Sequence, residues 1–253
     1  MRVLVLGGTA EANRLAALLA QQSGLSAVLS FAGRTKEPRP PPIPYRIGGF
    51  GGAEGLREYL EHERMDFLVD ATHPFAAQIS RHAADAAAAA KIPLIVLMRP
   101  AWSAAPEDRW AEVPNMLAAA AALGSEPKRV FLTVGRLQIG SFAAAPQHFY
   151  LIRTIEAFAE PPHLPRYRLI QARAPFTVEG EEKLLRENAI DVLVTKNSGG
   201  EAAYAKILAA RRLKLPVVIV ARPFQPTQAV CRDAQEALGH ILSHRDILAV
   251  RGV

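Results

Sequence analysis

Short, continuous apolar runs dominate the chain, where a half-exposed sheet would show strict alternation. Residues rich in Val, Leu and Ile recur at 2–6, 25–30, 66–70 and 93–98. They recur again at 129–134, 149–153, 168–172, 191–195 and 216–221, with a shorter run at 44–47. Such runs are how parallel strands covered on both faces read. Stretches with helical spacing lie between them at 10–22, 54–64, 76–91, 115–123, 178–188 and 200–213. Strand alternating with helix predicts βαβ units and an α/β fold. The run His82 to Lys91 is mostly alanine, a strong helix former. Its small side chains suit close packing of helix on sheet.

The pattern occurs twice. Asp66-Phe67-Leu68-Val69-Asp70 runs into Ala71-Thr72-His73-Pro74-Phe75, and 125 residues later Asp191-Val192-Leu193-Val194-Thr195 runs into Lys196-Asn197-Ser198-Gly199-Gly200. Leu94-Ile95-Val96 leads to Arg99-Pro100 as Val217-Val218-Ile219 leads to Arg222-Pro223. Glu54-Gly55 and Glu179-Gly180 each open a helix-like stretch upstream. The expectation is two similar Rossmann-like lobes facing across a cleft, each with a mainly parallel five-stranded sheet. Ligands favour such domain junctions.

Prolines mark the interruptions. Residues 34–44 contain five prolines and three basic residues, which excludes a helix or an interior strand. Residues 99–114, with three prolines and two tryptophans, read as the bridge. The predicted division is a nucleotide-binding lobe at 1–125, with its linker at about 99–125, and a second, substrate-side lobe at 126–253. The pattern does not decide where the chain after Arg222 packs.

Two domains fit the length of 253 residues. No apolar run reaches the roughly 18 residues that suggest a membrane span. The first strand begins at once, with no signal-peptide pattern, and Cys231 is the single cysteine. A cytoplasmic protein without a disulfide framework is expected. The net charge of +6 and pI near 9.7 invite a nucleic-acid reading. However, the basic residues are scattered, often single at strand ends, as at Arg34, Arg99, Arg153, Arg173, Lys196 and Arg222. That placement suits a small polyanion better than nucleic acid. Nothing indicates an oligomer.

The first strand ends in Gly7-Gly8-Thr9-Ala10-Glu11, and a helix follows. In α/β sheets a dinucleotide's pyrophosphate meets backbone N–H groups at this place. A tight β-to-α turn without a ligand reads the same way. Thr9 offers a hydroxyl to phosphate, and Glu11 suits the helix N-terminus or a ribose hydroxyl. NAD sites commonly place an acid at the end of the second strand. Here the chain reads Ser30-Phe31-Ala32-Gly33-Arg34-Thr35 without one, which suits the 2′-phosphate of NADP(H) or else a solvated basic loop. The glycines Gly48, Gly49, Gly51 and Gly52 form a loop able to lie against a ribose or nicotinamide, or equally serve a turn. Thr72 and His73 end the fourth strand, where His73 serves either proton transfer or helix capping. Lys196, Asn197, Ser198, Gly199 and Gly200 form a cationic turn expected to open a helix and bind an anion. No metal site is visible: His240 and His244 lack a third ligand.

Taken together, Gly7-Gly8-Thr9-x-Glu11, Ser30-x-Ala32-Gly33-Arg34, the Gly48–Gly52 loop, Asp70-Ala71-Thr72-His73-Pro74-Phe75-Ala76 and Lys196-Asn197-Ser198-Gly199-Gly200 resemble the precorrin-6A reductases of cobalamin biosynthesis, over almost the whole chain. The resemblance implies NADPH-dependent reduction of a ring double bond of precorrin-6A to give precorrin-6B, with a cobalt-containing substrate in the anaerobic branch. On this reading Gly7, Gly8, Thr9, Glu11, Ser30, Gly33, Arg34, Thr35, Gly49 and Thr72 hold the cofactor. Lys196, Asn197, Ser198, Gly199, Gly200 and Arg222 hold the polycarboxylate tetrapyrrole, and His73, Lys196 or solvent handles the proton. Two rival readings are a two-lobed nucleotide-sugar transferase and a non-catalytic tetrapyrrole-binding protein.

Overall fold

The computed structural model describes residues 1–33, 40–158, 160–223 and 227–251. The chain forms two compact units, residues 1–100 with 224–253, and residues 101–223.

The first unit is built on six parallel strands, β1 (Arg2–Leu6), β2 (Ser26–Phe31), β3 (Tyr45–Ile47), β4 (Phe67–Asp70), β5 (Leu94–Leu97) and a last strand, Ala229–Cys231. From one edge the order is β3-β2-β1-β4-β5 and then Ala229–Cys231. This is the doubly wound arrangement, whose strand order reverses between β1 and β4. Val3, Val5, Leu29 and Val69 pack into one core with helix α1 (Ala10–Leu19) and the C-terminal helix, Ala234–Arg251. Leu4, Leu6 and Leu68 pack into another with α2 (Ala53–His62) and α3 (Ala77–Ala90). The alanine run does what its size suggests, since Ala83, Ala86 and Ala87 are buried in that second core with Leu56 and Leu60 of α2.

The second unit repeats the scheme. After β6 (Trp110–Val113) and α4 (Met116–Ala121) come β7 (Arg129–Thr133), a 3-10 helix (Arg136–Ala144), β8 (Phe149–Thr154), β9 (Tyr167–Gln171), α5 (Val178–Glu187), β10 (Val192–Lys196), α6 (Ala205–Arg212) and β11 (Val217–Val220). Its order is β9-β8-β7-β10-β11-β6, again wholly parallel. The strands before β11 follow the order of the first sheet, as expected of a duplicated unit. The remaining elements are β12 (Ala229–Cys231) and α7 (Ala234–Arg251).

Three expectations are corrected. Each sheet has six strands where five were predicted. The chain does not divide at 125: β6 and α4 lie in the supposed linker, yet β6 pairs with β11 of the second sheet. Residues 227–251 do not end the second lobe, because β12 pairs with β5 of the first sheet. The sixth strands are thus exchanged, each following one sheet's fifth strand in the chain and completing the other sheet. Buried Cys231 sits in the first core, and burial pushes its thiol up to about 11, so it is structural and unreactive near neutrality.

Candidate functional site

In the first unit the strand ends converge as doubly wound sheets require. Thr9 stands in the extended conformation and caps α1, its Oγ1 accepting the Ala12 N–H at 3.1 Å. The same hydroxyl donates to the Ala71 carbonyl at 2.8 Å, tying the β1–α1 turn to the end of β4. Its proton is therefore used inside the fold, and the contribution it can make to a phosphate is its backbone N–H. Gly8 has φ of 113°, open to glycine and strained for other residues. At Gly7 a Cβ would come within 2.7 Å of Leu29 Cδ1. Backbone conformation restricts Gly8, where nothing lies within 4 Å of a Cβ, and the Leu29 side chain restricts Gly7. Glu11 is buried in the first turn of α1 and paired with Arg99 at 2.7 Å. The carboxylate that would repel an anion at this helix end thus has a cation beside it.

A cavity of about 220 Å³ opens beside this turn. Gly7, Ser30, Gly49 and Thr72, four of the expected cofactor residues, line it, with Gly48, Phe50, Gly51 and Gly52 of the β3–α2 loop. Leu6, Ala32, Leu56 and Ile79 supply apolar wall. Gly8, Thr9, Glu11, Gly33 and His73 do not line it. Arg34 and Thr35 lie outside the described residues. Thr72 is held by Asp70, whose Oδ1 accepts both its N–H (3.0 Å) and its hydroxyl (2.7 Å). The His73 Nδ1 accepts the Phe75 N–H at 3.2 Å, so the neutral ring carries its hydrogen on Nε2.

Arg46 was missed by sequence reading. It lies on β3 opposite Ser30. Its Nη1 donates to Ser30 Oγ at 2.8 Å and to the Gly48 carbonyl at 2.9 Å, and its Nη2 donates to the Gly49 carbonyl at 3.2 Å. The guanidinium carbon lies 4.0 Å from the centroid of the Phe50 ring, within cation–π range. One clue was visible: a lone arginine in a short apolar strand, two residues before a glycine loop. Gln78 and His82, one turn apart on α3, also line the cavity and had been given no function.

The second unit fills the corresponding place. By strand register, Ser30 has Arg153 as its counterpart, and Leu56 of α2 has Glu181 of α5. These two form a buried ion pair, and the Arg153 guanidinium lies 3.8 Å from the Phe176 ring centroid.

The Lys196–Gly200 turn departs from expectation in two ways. Its glycines do not open a helix, because α6 starts at Ala205. The anion-at-helix-end argument therefore fails here. Asn197 is also engaged within the fold: its Oδ1 accepts the Trp102 N–H at 2.8 Å and its Nδ2 donates to the Trp102 carbonyl at 2.9 Å. Trp102 Nε1 donates to the Gly200 carbonyl at 2.9 Å, and Arg222 donates to the carbonyls of Asn197 (3.0 Å) and Ser198 (3.2 Å). Asn197 and Arg222 thus shape the turn. Trp102 was missed because it lies in the segment read as a bridge. Among the described residues no cluster of His, Cys, Asp and Glu suits a metal ion, and no helix is long and apolar enough to cross a membrane.

Comparison with known proteins agrees with the geometry. The family described as "Precorrin-6x reductase CbiJ/CobK" matches residues 2–242. The precorrin-6A reductase of Rhodobacter capsulatus is 48% identical, covering 96% of this chain and 96% of its own. That of Rhodococcus erythropolis is 50% identical over 89% of this chain and 90% of its own. The solved structure of "CobK precorrin-6A reductase" has a TM-score of 0.91 at 48% identity, covering 96% of this chain and 97% of that one. Relatives named for cobalt-precorrin-6A are more distant, as with the 26% identity of the Priestia megaterium protein over 87% of this chain and 90% of its own.

Proposed function

The chain belongs to the precorrin-6x reductase family, and from that premise we propose that NADPH is its reductant and precorrin-6A without cobalt its substrate. As a member it is an oxidoreductase that saturates a carbon–carbon double bond of a tetrapyrrole in cobalamin biosynthesis. The higher identity to relatives whose names carry no cobalt supports the cobalt-free substrate. The observation that carries the cofactor reading is the side-chain-free Gly7–Gly8 turn beside a cavity lined by Ser30, at the ends of a doubly wound sheet.

A bound reduced nicotinamide nucleotide supplies the hydride. The chain binds and orients. Backbone N–H groups at Gly8, Thr9 and the start of α1 take the pyrophosphate. Ser30, Arg34 and Thr35 take the 2′-phosphate, and Gly33 between them has φ of 74°, which glycine adopts without strain. The Gly48–Gly52 loop and Thr72 shape the cavity, which is smaller than the roughly 300–1,000 Å³ of a typical ligand pocket and so takes one moiety of the dinucleotide. In the second unit Lys196, Ser198, Gly199 and Gly200 take substrate carboxylates, held in shape by Asn197, Trp102 and Arg222. His73, Lys196 or solvent delivers the proton.

Titration of the protein with NADPH and NADH tests this reading. Replacing Arg34 by Ala removes a charge-assisted bond of about 1.5–3 kcal/mol and should weaken NADPH roughly ten- to a hundredfold, with NADH little changed. Equal losses for both nucleotides would place the 2′-phosphate elsewhere. A wild-type protein that oxidises neither nucleotide with precorrin-6A would overturn the reading itself.

A further inference from the structure

Ser30 is the one buried side chain with a hydroxyl at the tip of β2, 4% exposed, and it lines the cavity. A serine hydroxyl can both accept and donate. Here its oxygen accepts from Arg46 Nη1 at 2.8 Å. Arg46 has no proton acceptor of its own, so this bond can run in one direction only, and the serine hydrogen is directed away from the guanidinium. The same arginine grips two consecutive carbonyls of the cavity loop, Gly48 and Gly49, and stacks on Phe50 of that loop. One side chain therefore sets both the polarity of Ser30 and the shape of the loop beside it.

We propose that Arg46 is a specificity-determining positioning residue: it locks Ser30 as a hydrogen-bond donor into the cavity and so favours a phosphate-bearing ribose over a plain one. A phosphate oxygen accepts only, whereas a ribose 2′-hydroxyl gains less from a fixed donor, because it must also place its own hydrogen. NAD sites solve the opposite problem with a carboxylate acceptor at this point. The inference rests on the NADPH reading above and adds the device that enforces it. The second unit fits the same logic, since the counterparts of Ser30 and Arg46 there are Arg153 and Ile170, and the donor–acceptor pair is absent.

A double-mutant cycle measured by direct binding of NADPH and NADH tests the proposal. Ser30→Ala and Arg46→Met should each lower the NADPH-to-NADH affinity ratio about tenfold. The double variant should lower it no further than either single one, because Arg46 acts through Ser30. Arg46→Lys keeps one charged donor and should recover part of the ratio, which guards against a Met variant that folds poorly. A full additive loss in the double variant, or equal weakening of both nucleotides by Arg46→Met and Arg46→Lys, would overturn the proposal while leaving the NADPH reading intact. A wild-type protein with no preference between the nucleotides would instead remove the reading on which it rests.

Discussion

At the scale of single residues, the structure separates side chains that hold the fold from those left for ligands. Asn197 shows the difference. By type it suited a substrate ligand, yet both of its amide groups are used on the Trp102 backbone. Residue type and spacing are legible in a sequence; a hydrogen bond to a residue 95 positions away is not. Lys196 remains the residue in that turn whose charge suits carboxylates. Replacing it by Ala should raise the KM for the tetrapyrrole roughly tenfold, the value of one charge-assisted bond, with NADPH affinity nearly constant. Loss of NADPH binding in the absence of substrate would show that the turn serves the cofactor. His148 belongs to the fold. It is fully buried, and its Nδ1 accepts the Lys128 N–H at 3.2 Å. Burial, aided by the Lys128 charge, lowers its pKa below the usual 6.5. The unfolded chain therefore binds the proton more readily, and stability should fall as pH drops below about 6.5. Urea midpoints at pH about 7.5 and 5.5 should differ more for wild type than for His148→Gln. Parallel shifts would mean that other groups carry the acid sensitivity.

At the scale of elements, the two halves show how one scheme is adapted to two tasks. The predicted strands were found because continuous Val, Leu and Ile runs are a direct consequence of burial on both faces. β6 and β12 were missed: they are four and three residues long, and Trp-Ala-Glu-Val carries exposed positions. An edge strand is half solvated, so its pattern is weak. The clearest functional divergence is also at this level. Where the first unit keeps a cavity between the end of β2 and α2, the second joins β8 to α5 through Arg153 and Glu181. Removing one member of a buried pair leaves the other charge without its partner and costs about 3–5 kcal/mol. Glu181→Ala should therefore lower the stability of the protein by about that amount, with NADPH affinity little changed. A near-neutral effect on the urea midpoint would mean that water already solvates the pair, and a selective loss of NADPH would contradict the division of labour between the units.

For the whole molecule, the exchange of sixth strands decides which pieces can fold. A cut near 125, the boundary suggested by the repeat, would leave β6 and α4 attached to the wrong half and remove β12 and α7 from the first unit. The loss is large. α7 contributes Ala237, Leu238 and Ile241 to the first core, and Cys231 lies there too. Burying one Leu or Ile contributes about 1.5–3 kcal/mol, so Leu238 and Ile241 together contribute about 3–6 kcal/mol. A domain's whole stability is about 5–15 kcal/mol. Residues 1–125 alone should therefore fail to melt cooperatively, whereas residues 101–223 keep all six strands of their sheet and should unfold in a single transition. Adding a peptide of residues 224–253 to residues 1–100 should restore a cooperative melt by completing the sheet beside β5. If the 1–125 fragment melts as sharply as 101–223, the exchanged strand and helix are dispensable additions, and the repeat boundary, not the sheet boundary, marks the folding unit.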